Sequence, residues 1–318
     1  MQQLDQIPTL DDIRATHEAI RKMIHRTPVM TCQSLNRISG ADLYFKCENF
    51  QKIGAFKMRG AASAAIRLSD AEKRKGLATH SSGNHAQAVA RAAQLLGIPS
   101  YIVMPIDAPS IKKAATEGYG ARIIFCDSTV ESRESTLEQV VMKTGATFIH
   151  PYNDYNVIAG QATCALELLE DRKDLDVIMA PIGGGGLMSG TALTTSYLYP
   201  GIEIIGAEPA AVDDACRSFH SGRIEGNAST DTIADGLRTT LGPKTFAIIR
   251  NKVDDILTVS EESIVEAMRL VWERMKIVIE PSCAVPFAAV LHNKERFAGK
   301  QLGIILSGGN VDLSNLPF

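Results

Sequence analysis

From residue 100 onward, short apolar or β-branched runs alternate with Ala- and Leu-rich stretches of helical spacing. Tyr101-Ile-Val-Met104 predicts a strand, and 109–119 a helix ending near Gly120. Arg122-Ile-Ile-Phe125 predicts a second strand, 130–143 a helix, and Thr147-Phe-Ile149 a third strand. A helix over 156–170 leads to a strand over 176–181, a glycine turn, a helix from 187 and a strand over 202–207. Helices over 261–275 and 283–297 and a strand over 301–306 follow. Such βα alternation predicts an α/β fold of parallel sheets covered by helices on both faces. Right-handed crossovers then bring the loops after the strands to one edge, where ligands bind.

No internal repeat, low-complexity tract or long linker interrupts this pattern. The βα units alone place the boundaries, with a smaller domain over 74–149 inserted in a larger one formed by 1–73 and 150–318. Pro317-Phe318 comes soon after a glycine turn, so no appended regulatory domain is expected.

Composition narrows the function classes. The 318 residues are 45% hydrophobic and 22% charged, with a formal net charge of -3. That balance argues against a nucleic-acid footprint, which requires a basic excess. There is no uninterrupted apolar stretch long enough for a membrane span. The first twenty residues are acidic and amphipathic rather than basic-then-apolar, so a cytoplasmic location is expected. Six cysteines without a CxxC pair read as reduced, mostly buried side chains. Seven histidines without an HExxH-type spacing give no sign of a transition-metal site.

Three segments carry candidate chemistry. In Glu48-Asn-Phe-Gln-Lys-Ile-Gly-Ala-Phe56-Lys57, a strand ends, a polar loop follows, and Lys57 opens an Ala-rich helix over 58–68. The positive helix end and the Phe56 ring both disfavour an ammonium, which suits an amine that forms a Schiff base. A solvated helix-cap lysine is the plain alternative. Ser81-Ser82-Gly83-Asn84-His85 precedes a second Ala-rich helix and can cradle a carboxylate or phosphate, or simply cap the helix. His80 and His85 flank this turn and read as structural histidines rather than bases. Gly183-Gly184-Gly185-Gly186 stands between a strand and a helix, its N–H groups open to a phosphate. No Gly-Lys-Ser/Thr follows, and a dinucleotide fingerprint would need glycine at Met188. A phosphate of neither type, together with a Schiff-base lysine, points to pyridoxal phosphate. A fourth turn, Ser307-Gly-Gly-Asn310, places a hydroxyl where it can meet a pyridine nitrogen; a glycine turn at a sheet edge would look the same.

In this order the four segments resemble the fold-type II pyridoxal-phosphate enzymes, the tryptophan synthase beta-like fold. Within them, the nearest likeness is to the serine racemase and serine/threonine dehydratase group, from Ile24-His-Arg-Thr-Pro28 through Leu313. The resemblance implies that Lys57 carries the cofactor, Phe56 packs beside it and Asn84 contacts its ring hydroxyl. It implies that Gly183 to Gly186 and Leu187 bind the phosphate, that Gly236 and Glu280 line the site, and that Ser307 meets the ring nitrogen. The Ser81 to His85 loop, Gly83 included, would hold the substrate carboxylate. Ser82 replaces an alanine common in the biodegradative dehydratases, and its hydroxyl could return a proton on the face opposite Lys57. That leans toward racemase-like members. These bind Mg²⁺, Ca²⁺ or Mn²⁺ through positions matching Glu208, the Val212 carbonyl and Asp214; a solvated acidic helix start is the plain alternative.

The activity so implied is elimination of ammonia from serine or threonine, with racemisation possible, by a homodimer. Arg133 at the cleft mouth has no partner in a serine site. It raises 3-hydroxyaspartate as an alternative substrate, or else pairs with a protein carboxylate. Lys52, Tyr119 and Asn310 loosely fit a nucleotide effector. Two rival classes are a Rossmann-type oxidoreductase, disfavoured by the missing fingerprint, and a non-catalytic ligand-binding module, which would not need Lys57 beside a cleft.

Overall fold

The structure is a computed structural model that describes residues 1–108 and 110–318. Its strands are β1 (Val29–Met30), β2 (Asp42–Cys47), β3 (Leu77–His80), β4 (Ser100–Pro105), β5 (Arg122–Cys126), β6 (Thr147–Phe148), β7 (Val177–Pro181), β8 (Glu203–Pro209), β9 (Asp255–Val259) and β10 (Gln301–Leu306). The helices are α1 (Leu10–Ile20), α2 (Gln33–Ser39), α3 (Lys57–Ile66), α4 (Asp70–Lys75), α5 (Asn84–Leu96), α6 (Ser110–Gly118) and α7 (Val130–Thr144). They continue with α8 (Tyr155–Asp171), α9 (Gly186–Leu198), α10 (Asp214–Ser221), α11 (Pro243–Lys252), α12 (Glu261–Met275), α13 (Pro281–His292) and α14 (Lys294–Phe297).

Two sheets result, ordered β1-β2-β10-β7-β8-β9 and β5-β4-β3-β6. Every pairing is parallel except β1 with β2. In that exception Val29–Met30 folds back on the strand that follows it, which needs no crossover. The predicted helix over 283–297 is two helices, separated at Asn293. There, Asn293 leaves the helical backbone region at φ -120, ψ 42. The helix expected over 109–119 covers Ser110–Gly118, with residue 109 outside the described residues.

The larger sheet is buried on both faces, and β7 reads Val-Ile-Met-Ala-Pro without a polar residue. On one face α12 and α13 cover it, with Phe287 edge-on to Phe45 at 5.7 Å. On the other, α8 and α9 press Cys164, Leu168 and Met188 against Ile178, Ile204 and Ile305. The smaller sheet lies between α5, which brings Ala86, Val89 and Ala93, and α7, which brings Leu137 and Val140. Helix α3 belongs to both regions, since it packs against α5 and against α8. Truncating one such buried leucine to alanine costs about 2–5 kcal/mol. Among the described residues all six cysteines are free, and four are buried.

Candidate active site

The segments singled out in the sequence all follow the C-terminal ends of strands. Lys57 is reached from β2 through two 3-10 turns, Glu48–Phe50 and Lys52–Gly54. The Phe56 N–H donates to the Ser307 carbonyl at 3.0 Å, and Ala55 bridges Gly308. The lysine segment is therefore tied to the turn that follows β10. Ile53 takes φ 63, costly for a β-branched residue, and its carbonyl accepts from Asn310 Nδ2 at 2.7 Å.

Lys57 is half-buried, its Nζ 2.9 Å from the Pro151 carbonyl and 5.2 Å from the Phe56 ring centroid. Burial lowers its pKa to about 8, against the opposing pull of Glu280. This is no solvated cap: near neutral pH a usable fraction of the amine is uncharged. Burial, then Asp235, pushes Glu280 up to about 7. Glu280 accepts from Asn84 Nδ2 at 3.0 and 3.1 Å and from the Asn310 N–H at 3.0 Å. Asn310 Nδ2 also donates to Asn84 Oδ1 at 2.8 Å, which fixes which way the Asn84 amide faces.

Two helix N-termini open toward this region. Gly83 precedes α5 and Gly185 precedes α9, and neither helix has a side-chain cap. Capping thus fails as an explanation of the Ser81-Ser82-Gly83 turn, where among the described residues Ser81 Oγ accepts only from the Gly83 N–H, at 3.2 Å. The uncapped N–H groups suit anions. Gly185 needs its φ of 84, and a Cβ on Gly184 would lie 2.2 Å from Tyr152 Cδ1. Thr245 Oγ1 donates to the Gly184 carbonyl at 2.8 Å, while Leu187 is buried at the start of α9. A Cβ on Gly183 would stand 3.1 Å from the Gly236 carbonyl, and Gly236 N–H donates to Ser282 Oγ at 3.0 Å. Ser307 is buried beside these turns, and Ser82 is half-buried without a hydrogen bond among the described residues.

Sequence reasoning missed the turn after β6. His150 Nδ1 accepts from the Tyr152 and Asn153 N–H groups at 3.2 and 2.9 Å, and its ring meets Tyr152 edge-on at 4.8 Å. Burial lowers its pKa to about 4, with His80, Lys57 and Lys244 adding to the effect. The one available signal was position, directly after a strand. His85 is buried, with Nε2 2.9 Å from the Ile149 carbonyl and its pKa lowered to about 3 by burial and Lys57. His80 stacks on Phe148 at 5.7 Å. His85 Nδ1 is buried with no hydrogen-bond partner among the described residues. Arg133 Nε donates to the Thr129 carbonyl at 3.3 Å and forms no ion pair among the described residues, so the protein-carboxylate alternative is not what the structure contains.

Glu208 and Asp214 are both buried, in the turn that also buries Val212. Glu208 accepts from the Ala215 and Cys216 N–H groups, and Asp214 from Asn227 Nδ2 and the Leu241 N–H. Burial and Asp214 push Glu208 up to about 9, and burial raises Asp214 to about 6. Two carboxyl groups share one low-dielectric turn that resists charging both, which is not the solvated helix start considered from the sequence. Leu241, bonded to Asp214, also packs toward Gly185, so this pair stands behind the glycine loop. Among the described residues no group of three or more His, Cys, Asp or Glu side chains converges.

A cavity of about 580 Å³ lies between Gln87, Lys112, Asp235, Arg238 and Asn310, and Lys57 does not line it. Of the three residues considered for a nucleotide, only Asn310 lines it. Lys52 Nζ donates to the Lys22 carbonyl, and Tyr119 lies under Arg91.

A near-neutral lysine, a buried hydroxyl residue at Ser307, a fixed amide at Asn84 and two uncapped helix ends fit pyridoxal phosphate. The sequence profile of the pyridoxal-phosphate-dependent enzymes matches residues 20–308. The chain is 52% identical to a beta-hydroxyaspartate dehydratase of Paracoccus denitrificans, over 98% of this chain and 99% of that protein. It is 49% identical to a serine racemase of Dictyostelium discoideum, over 97% and 96%. Maize serine racemase superposes with a TM-score of 0.95 at 46% identity, covering 97% of this chain and 95% of that one. The chain is a member of the pyridoxal-phosphate-dependent enzyme family.

Proposed function

We propose that the chain eliminates ammonia from small 3-hydroxy amino acids, serine or threonine, and racemises them as a second outcome of the same proton removal. The observation that carries this is the half-buried amine of Lys57, with its pKa lowered to about 8 and its Nζ bonded to Pro151, beside the Tyr152 that covers the glycine loop. Bound there, pyridoxal phosphate would supply an electron sink that acidifies the Cα–H of an amino acid. Gly183 to Gly186 and Leu187 would hold its phosphate, Asn84 its ring hydroxyl, Ser307 its ring nitrogen, and Phe56, Gly236 and Glu280 would border it. Lys57 takes the Cα proton. The N–H groups at the start of α5, with Ser81, Gly83 and His85, orient the substrate carboxylate. Loss of the β-hydroxyl as water leaves an enamine that hydrolyses to a keto acid and ammonia. Ser82, which forms no hydrogen bond among the described residues, gives its hydroxyl proton to the opposite face when inversion occurs.

A second reading, that 3-hydroxyaspartate is the preferred substrate and oxaloacetate the product, is favoured by the unpaired Arg133. The Paracoccus denitrificans relative is named a beta-hydroxyaspartate dehydratase. A Mg²⁺, Ca²⁺ or Mn²⁺ ion at Glu208, Asp214 and the Val212 carbonyl belongs to the same proposal, supported by the two buried carboxylates. So do a homodimer, a cytoplasmic location and a domain boundary around 74–149; the last is supported by the four-stranded sheet, which lies within 77–148. Among the described residues no helix is long and apolar enough to cross a membrane.

Borohydride treatment of the yellow protein should discharge its colour and leave the peptide bearing Lys57 heavier by the reduced cofactor. Lys57→Ala should remove both the label and all turnover. A fully active preparation with that peptide unmodified would refute the proposal.

A further inference from the structure

A cluster of charged side chains lies in the interior, outside the site described above. Lys46, Glu48, Arg59 and Glu167 are all fully buried. Arg59 stands two residues after Lys57 in the first turn of α3, so the helical rotation sends its side chain to the far side of the helix. Its Nε and Nη2 donate to the two Glu48 oxygens at 2.8 Å each. Its Nη1 and Nη2 donate to the two Glu167 oxygens at 2.9 and 2.8 Å, and Nη1 also reaches Thr163 Oγ1 at 3.0 Å. Lys46 Nζ completes the balance with Glu167 at 2.7 Å. Two cations meet two carboxylates, and every arginine donor group is used.

Glu167 and Thr163 belong to α8, which touches both halves of the cofactor site. A Cβ on Gly160 of α8 would lie 2.4 Å from the Arg59 carbonyl and 2.7 Å from Gly60 Cα of α3. On another side, a Cβ on Gly190 of α9 would lie 2.5 Å from the Ala162 nitrogen of α8. The helix begun by Lys57 and the helix begun by Gly186 therefore rest on one ruler at backbone contact. The turn leading into that ruler holds Pro151, which accepts from Lys57 Nζ, and Tyr152, which covers Gly184.

We infer that Arg59 is a positioning residue: by clamping α3 to α8 it fixes the separation between Lys57 and the glycine loop. The inference rests on the cofactor reading above. It predicts a penalty only for ligands that engage the lysine and the phosphate cradle together. The aldehyde of pyridoxal phosphate condenses with the Lys57 amine and releases water. Pyridoxamine phosphate carries an amine in that place and cannot condense, yet presents the same phosphate.

The test measures dissociation constants for both compounds on cofactor-stripped wild type and on Arg59→Lys, which keeps the charge but loses the planar fork. Pyridoxal phosphate should weaken ten-fold or more and pyridoxamine phosphate less than three-fold. Leu35→Ala, a cavity in the core of the larger sheet, should leave the ratio of the two constants unchanged. If Arg59→Lys does not fold, Gly160→Ala and the milder Gly60→Ala, which meets the Gln161 side chain, should shift the same ratio. An unchanged ratio in the folded variants, or an equal shift in Leu35→Ala, overturns the inference. A wild type that binds both compounds without linkage at Lys57 overturns the functional reading itself, and the inference with it.

Discussion

Replacing Arg133 by methionine keeps the side chain's apolar stem and removes its charge. Arg133 is half-buried and bonds only to a backbone carbonyl among the described residues, so the loss should hardly disturb the fold. If a substrate's second carboxylate sits about 4 Å away, an effective dielectric constant of about 40 for this half-exposed side chain makes the pair worth about 2 kcal/mol. That is roughly a 30-fold fall in kcat/KM for 3-hydroxyaspartate. Serine, with nothing to offer the guanidinium, should change by less than about three-fold. Coupled assays of oxaloacetate and pyruvate formation would read the two values. A second readout is independent of turnover. His80 is held below its ordinary pKa by burial first and by the Arg133 charge second. Removing the charge favours the imidazolium, so the His80 titration followed by NMR should move up. Equal losses for both substrates, or no loss for either, would refute a dicarboxylate site at Arg133.

Ser82→Ala should abolish racemisation while elimination from the L-isomer persists, checked by chiral chromatography alongside keto-acid release; retained inversion would remove Ser82 from that role. Adding Mg²⁺ to chelator-treated protein should raise its melting temperature by a few degrees, since a ligand at about 100 times its Kd contributes about 2.7 kcal/mol. Glu208→Gln should abolish that rise and lower the stability of the metal-free protein, because an amide cannot accept from both the Ala215 and the Cys216 N–H groups; an undiminished rise would place the ion elsewhere.

The βα alternation from residue 100 onward was legible because each strand is a short apolar run bounded by turns. The glycine loop was legible for a local reason as well: four glycines in succession between a strand and a helix leave the backbone N–H groups uncovered. What local patterns do not carry is tertiary approach. His150, Tyr152 and Asn153 matter because α8 brings their turn under Gly184, and no spacing records that. Glu48 and Arg59 look like polar loop and helix-surface residues, and only their mutual bonds make burial tolerable. The split at Asn293 escaped for the opposite reason, since the residues on both sides are good helix formers. Pro286, which should have broken α13, lies inside it.

The order of the larger sheet has a bearing on synthesis. Strand β10 lies between β2 and β7, matched to six residues of one and three of the other. Until residues 301–306 have left the ribosome, the strand leading to Lys57 and the strand leading to the glycine loop have no shared neighbour. Completion of the larger sheet therefore waits for its last strand, and until then the nascent polypeptide carries two open sheet edges for a chaperone to shield.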